Sequence, residues 1–296
     1  MRLLLCSQLK SLCLRSLTGL LLLNMALLIG NGFAGRFVMG AVDTENWDYA
    51  ELAAALTQVN SKGMVNYGAL KENRHNLDEF SRRIAKLKPD TYASWGRNEK
   101  IAFWINTYNG LTLLAIIENY PIKASFLSSL MYPKNSIRQI SGVWDDLKFT
   151  ILGEEVTLAY IEHSVLRKKF NEPRIHMALV CAAKSCPALR PEPFSGSRLD
   201  EQLDDQTRNF LRNSMKFRID QAAKVVYLSE IFDWFGKDFM DRYGTDQAFR
   251  EHGPALNAVL NFVSSYLSQS DRAYLKNTEF EVSYLEYDWS LNEQGS

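Results

Sequence analysis

The sequence is poor in cysteine, in histidine and in net charge. Its 296 residues hold four cysteines and four histidines, and 34 basic residues balance 34 acidic ones. A formal net charge of +0 gives no global attraction to nucleic acid, and none is expected as a partner. After residue 45 there is no internal repeat, no low-complexity linker and no break in composition, so residues 35–296 read as a single domain. With 46% hydrophobic and 12% aromatic residues the chain has ample material for a core, which excludes wholesale disorder.

The first 34 residues are a separate object. Arg2, Lys10 and Arg15 carry the only charges there, and an apolar, Leu-rich run follows from Leu17 to Ile29. Gly32-Phe33-Ala34 then supplies the small residues of a cleavage site, so residues 1–34 read as a secretory signal peptide. The run is short for a spanning helix, which needs about 20 apolar residues. A membrane contact is expected only through this segment, if it stays uncleaved. No cysteine follows the run, which argues against a lipoprotein anchor. The expected location is the periplasm or the exterior. Cleavage would remove three basic and no acidic residues, leaving 31 against 34. It would also remove Cys6 and Cys13, so only Cys181 and Cys186 remain, in a compartment that permits disulfides.

The periodicity predicts an α+β fold, helix-rich, with a small mixed or antiparallel sheet. Helices are expected over Trp47–Val59 (Asn46 as N-cap, Gly63 beyond its end), Asn76–Leu87, Asn98–Tyr120, Leu158–Phe170, Leu199–Leu211, Ile231–Phe239 and Pro254–Leu267. Hairpins are expected at Leu147–Ile151 with Glu155–Thr157 and at Lys216–Asp220 with Val225–Leu228, and a further strand at Phe280–Leu285. The helix at Asn98–Tyr120 is apolar almost all round, which places it centrally and makes its amides Asn106 and Asn109 conspicuous. On the helix at Leu158–Phe170, Glu162 falls inside the apolar stripe and His163 at its edge.

The chemistry-bearing stretch is Arg174–Pro191. Its apolar run Ile175–Cys181 reads as a buried strand, with His176 and Cys181 on opposite faces and Cys186 on the loop before Pro187. Three chemistries are open. Cys186 could be a nucleophile, with His176 or His163 as base and Glu162 or Asn106 orienting the base or donating to an oxyanion. The set His163, His176, Cys181 and Cys186 has zinc-type ligands, but the C-x4-C spacing is loose and the strand faces diverge, so no metal and no cofactor is expected. A Cys181–Cys186 disulfide would close a very small loop and disable the nucleophile, or act as a redox switch.

Five ordered blocks carry a family resemblance. F-W-I-N-T-Y-N (103–109), I-E-H-S-V-L-R (161–167), R-I-H-M-A-L-V-C-A-A-K-S-C-P-A-L-R (174–190), L-S-E-I-F-D-W-F (228–235) and Y-D-W-S-L-N (287–292) resemble the domain-of-unknown-function family 547. The likeness runs from about residue 95 to about 240, with the tail fitting too. It implies exported bacterial relatives and plant relatives, the latter with an acidic residue where this chain has Cys186. By analogy only, an α+β domain with a Cys, a His and an amide or carboxylate is similar to papain-like peptidases. The expected activity is that of an exported hydrolase or transferase with a Cys–His site, acting on a small-molecule or peptide ligand. The other reading is a non-catalytic cell-envelope binding or structural module.

Export with cleavage near Ala34 is checked by N-terminal sequencing of the protein from the envelope fraction. A chain beginning near Gly35 is expected, and one still beginning at Met1 in that fraction would show the segment to be retained.

Overall fold

The computed structural model describes residues 47–295, so the expected signal segment and Asn46 lie outside the described residues. The described chain is a helix-rich α+β structure. Helix α1 (His75–Lys86) and helix α2 (Arg97–Asn119) form its first layer. Every residue of α2 from Ile101 to Ile117 is buried, as an all-apolar circumference requires. Gly110 is where α1 comes closest, because a Cβ there would sit 2.6 Å from the Phe80 ring. Before α1, the first helix covers Ala50–Leu56 only. Among the described residues no helix is long and apolar enough to cross a membrane.

Two small sheets follow. Strands β1 (Phe149–Ile151) and β2 (Glu154–Val156) form an antiparallel hairpin. After helix α3 (Leu199–Arg212), strands β3 (Phe217–Asp220) and β4 (Val225–Ser229) pair antiparallel, and β5 (Glu281–Leu285) adds parallel to β4. Ser229 caps helix α4 (Glu230–Phe235), its hydroxyl accepting from the Ile231 amide. Helix α5 (Pro254–Tyr266) packs behind it in a second apolar cluster with Phe232, Phe239 and Phe262. The first cluster gathers around α2, and Tyr287 packs against both.

Two local expectations need correction. Ile175–Cys181 is not a strand. Pro173 opens a 3-10 turn, Pro173–Met177, whose first amide at Arg174 is accepted by the Glu172 side chain. Proline at a first helical position has the required φ and no amide to satisfy. A short buried apolar run looks the same to periodicity whether it is a strand or not. Among the described residues no strand pairs with it, and side-chain amides serve its backbone. Asn109 donates to the Ala178 carbonyl at 3.0 Å and accepts from the Val180 amide at 2.9 Å. Gln206 donates to the carbonyls of Met177 and Ala188, at 3.1 and 2.9 Å. The argument that His176 and Cys181 diverge therefore fails, since no strand alternation exists. The second correction concerns Leu158–Phe170. Its central part, Tyr160–Leu166, is a π-helix, followed by one α-turn at Arg167–Lys169. Wider turns of this kind are frequent at functional sites.

The loop after the turn is pinned by the C-terminal tail. Ala182 adopts a left-handed φ of 59°, and its carbonyl accepts from the Asn292 amide at 3.0 Å. Gly63, at φ 74°, lies so close under Ala188 that any Cβ would collide with it and with the Leu189 amide.

Replacing Asn109 by Leu keeps the count and branching of the side-chain heavy atoms and removes both bonds to the buried loop. Each orphaned backbone group costs about 1–3 kcal/mol, so urea unfolding is expected to show a loss of about 2–6 kcal/mol. An unchanged midpoint would mean that the loop holds its shape without the amide.

Candidate functional site

The loop, the π-helix, α4 and the tail converge on a pocket of about 190 Å3. All five sequence blocks reach it. Tyr108 comes from the first, Glu162 and His163 from the second, and His176, Cys181 and Cys186 from the third. Trp234 and Phe235 come from the fourth, Tyr287 and Trp289 from the fifth. Arg138 and Trp144, from the irregular stretch between α2 and β1, complete the wall.

His176 is buried, with its ring stacked on Phe235 at 4.2 Å between centroids. Its Nε2 lies 2.8 Å from Asp238, and the same carboxylate takes Arg167 Nε at 2.5 Å and Nη2 at 2.9 Å. Burial alone raises the Asp238 carboxyl, but the hydrogen bonds from His176 and Arg167 outweigh it and hold the group well below the usual carboxylate range. In the tautomer that donates from Nε2 to Asp238, Nδ1 is the nitrogen left to accept. Asp238 was not among the residues singled out from the sequence. It lies in a 3-10 turn after an aromatic helix, where no periodicity marks it.

Glu162 is almost buried, its side chain 13% exposed, and accepts from the Tyr108 hydroxyl at 3.2 Å. Burial first, then the Glu162 charge, pushes the Tyr108 phenol up, and the same two causes push up Tyr287. His163, 4.0 Å from Glu162, is half exposed and accepts from Arg167 Nη1 at 3.0 Å. Asn106 is not among the pocket-lining residues. Its amide donates to the Phe194 carbonyl at 2.8 Å and its carbonyl accepts from the Phe194 amide at 2.9 Å, which clamps that loop.

Cys181 and Cys186 form a disulfide, with Cα atoms 6.1 Å apart. In this form Cys186 has no thiolate to offer. Its Sγ accepts from the Cys181 amide at 3.0 Å and from the Tyr287 hydroxyl at 3.2 Å. Its carbonyl accepts from Lys216, a buried lysine whose ammonium burial pulls down to about 8. Among the described residues no group of three or more His, Cys, Asp or Glu is placed to hold a metal ion.

Residues 92–211 match the model of a family described as a protein of unknown function, DUF547. No curated protein and no solved structure matches the chain.

The Asp238 carboxyl titrates lower folded than unfolded, so the unfolded chain binds more protons between the two values and stability rises with pH there. This contribution is complete above about pH 4, the ordinary carboxyl value, and is lost as pH falls towards the folded one. Urea unfolding of wild type and Asp238→Asn should therefore differ most above pH 5, with the gap closing towards pH 2. A constant gap across that range would mean that Asp238 is not held ionised by its partners.

Proposed function

We propose that this chain, whose residues 92–211 belong to the DUF547 family, is a cell-envelope hydrolase or acyltransferase with Cys186 as nucleophile, resting in its disulfide form. The observation that carries the reading is the convergence of a His–carboxylate pair, His176 and Asp238, with a sulfur that already receives two donors. Donors directed at a sulfur favour its thiolate once the disulfide is opened. The export half of the reading rests on the sequence of residues 1–34.

The reaction begins with a dithiol reductant, which takes the disulfide to two thiols and is itself oxidised to a cyclic disulfide. The Cys186 proton passes to Nδ1 of His176 and the sulfur attacks an acyl carbon. The bond to the leaving group breaks, and the imidazolium returns its proton to that group. Water or another acceptor then loses a proton to His176 as it attacks the thioester, the C–S bond breaks, and the thiolate is restored. Asp238 orients the ring and stabilises its charged form, as a positioning residue. Glu162 with Tyr108, and His163 beside them, line the same pocket and are assigned to substrate contact rather than to the base. Asn106 takes no part, because both ends of its amide are committed to Phe194.

The second reading, a binding module without a covalent step, is favoured by the disulfide itself and by the aromatic lining. The two separate on reduction. With p-nitrophenyl acetate, reduced protein should release about one equivalent of p-nitrophenol in a burst, while oxidised protein and Cys186→Ser release none. Cys181→Ser should show the burst without reductant. His176→Ala should slow it by about 10²–10⁴, the usual worth of a general base. Equal rates for reduced wild type and Cys186→Ser would leave the binding module as the function.

A further inference from the structure

The pocket holds one more charged group that the acyl-transfer reading does not use. Arg138 lines it from the 3-10 turn Ile137–Gln139, and its own amide donates to the Ser136 hydroxyl. The guanidinium sits against three rings, 4.4 Å from the centroid of Tyr132, 5.1 Å from Trp289 and 5.4 Å from Trp144. Its one side-chain hydrogen bond among the described residues runs from Nη2 to the Tyr132 hydroxyl, at 2.5 Å. No carboxylate pairs with it there, whereas Arg167 near the other wall is neutralised by Asp238. From residue 121 to 144 the chain carries Lys123, Lys134 and Arg138 and no acidic residue, and Asp145, Asp146 and Asp288, near its ring partners in sequence, form no salt bridge with Arg138 among the described residues. Glu162, the one carboxylate of the pocket lining, makes no ion pair with Arg138.

We propose that Arg138 is an oxyanion-recognising subsite, and that the ligand of this pocket is an organic molecule or peptide with an apolar or planar body and a carboxylate or phosphate. The argument is one of unspent donors. Five N–H groups in a rigid fork are stacked by aromatic faces, which removes the rotameric freedom that a lone arginine would lose on binding. One donor is used and the rest have no acceptor among the described residues. The charge is not cancelled, and a carboxylate or phosphate gains charge-assisted, bidentate bonds there. The rings of Trp234 and Trp289, stacked at 5.9 Å, offer the apolar body a surface beside it. The proposal rests on the reading of this pocket as the active site, but binding to Arg138 needs no free thiol. It is therefore measured on the disulfide form, where failure of the cysteine chemistry leaves it untouched.

The test uses the oxidised full chain and three probes that differ in charge: N-acetylphenylalanine, its neutral amide and phenyl phosphate. Binding is read by tryptophan fluorescence and by calorimetry at pH 7. At least one anionic probe should bind tenfold or more tightly than the neutral amide, and the better of the two identifies the oxyanion class. Raising sodium chloride from 50 to 300 mM should weaken the anion and not the amide. Arg138→Gln should abolish the preference while binding of the amide stays within about twofold, which shows the pocket intact. Arg138→Lys, which keeps the charge but not the fork, should retain a part of it. If Arg138→Gln does not fold, Arg138→Lys and the salt dependence of the wild type decide. Equal affinities for anionic and neutral probes, a preference that survives in Arg138→Gln, or no binding of any probe to wild type would overturn the proposal.

Discussion

Asn109 holds a loop that has no strand to hold it. Residues 173–180 are buried without exception, and a buried backbone without a ladder must find its hydrogen bonds elsewhere. The amide of Asn109 takes a carbonyl and an N–H from that loop, and Gln206 takes two further carbonyls. The tail adds the third support through Asn292, whose own carbonyl side chain accepts from Tyr67 at 2.6 Å. The apolar circumference of α2 and its interior amides therefore belong together. The helix must be central because it is apolar, and because it is central its Asn109 can serve a loop that carries His176 and both sulfurs.

The electrostatics of the pocket follow from where the ion pairs were spent. Asp238 is shared between Arg167 and His176, so the ring is held in place by a carboxylate that is itself held ionised. Among the described residues, Glu162 has only the Tyr108 hydroxyl and the edge of His163, and Arg138 only aromatic faces and one phenol. The pocket thus leaves, among the described residues, Glu162 with one distant imidazole and Arg138 with no carboxylate, among mostly aromatic walls. The disulfide places its two sulfurs among these groups, Cys186 fully buried and Cys181 partly accessible. An incoming thiol thus has better access to Cys181, and its attack there would release Cys186 as the leaving thiolate.

Helix α2, both hairpins, the strand at Glu281–Leu285 and the near-burial of Glu162 were legible in the chain, because each depends on the spacing of apolar side chains or on turn residues between them. The site residues were legible as types: a histidine and two cysteines in one short stretch, a carboxylate in an apolar stripe, amides inside an apolar helix. What failed was the strand at Ile175. Its alternation argument separated His176 from Cys181, whereas both face the same pocket. Periodicity measures burial, and a buried loop gives the same apolar run as a buried strand.

The short helices Tyr67–Glu72 and Pro89–Ser94 and the helix Gln269–Asn277 were not read from the sequence. By itself it determined the longer helices, which two β-hairpins form and that α2 is the central element. Those are consequences of local spacing and of burial, and both are written in residue order. Only the tertiary structure decided that the five blocks close on one pocket, that Asp238 and not Glu162 is the partner of His176, that Asn106 serves Phe194 instead, and that Arg138 stands among rings with no carboxylate partner among the described residues. Each of these is a contact between residues far apart along the chain, as with the 62 positions from His176 to Asp238. Such a contact depends on how whole elements pack, and no periodicity within a single element records it.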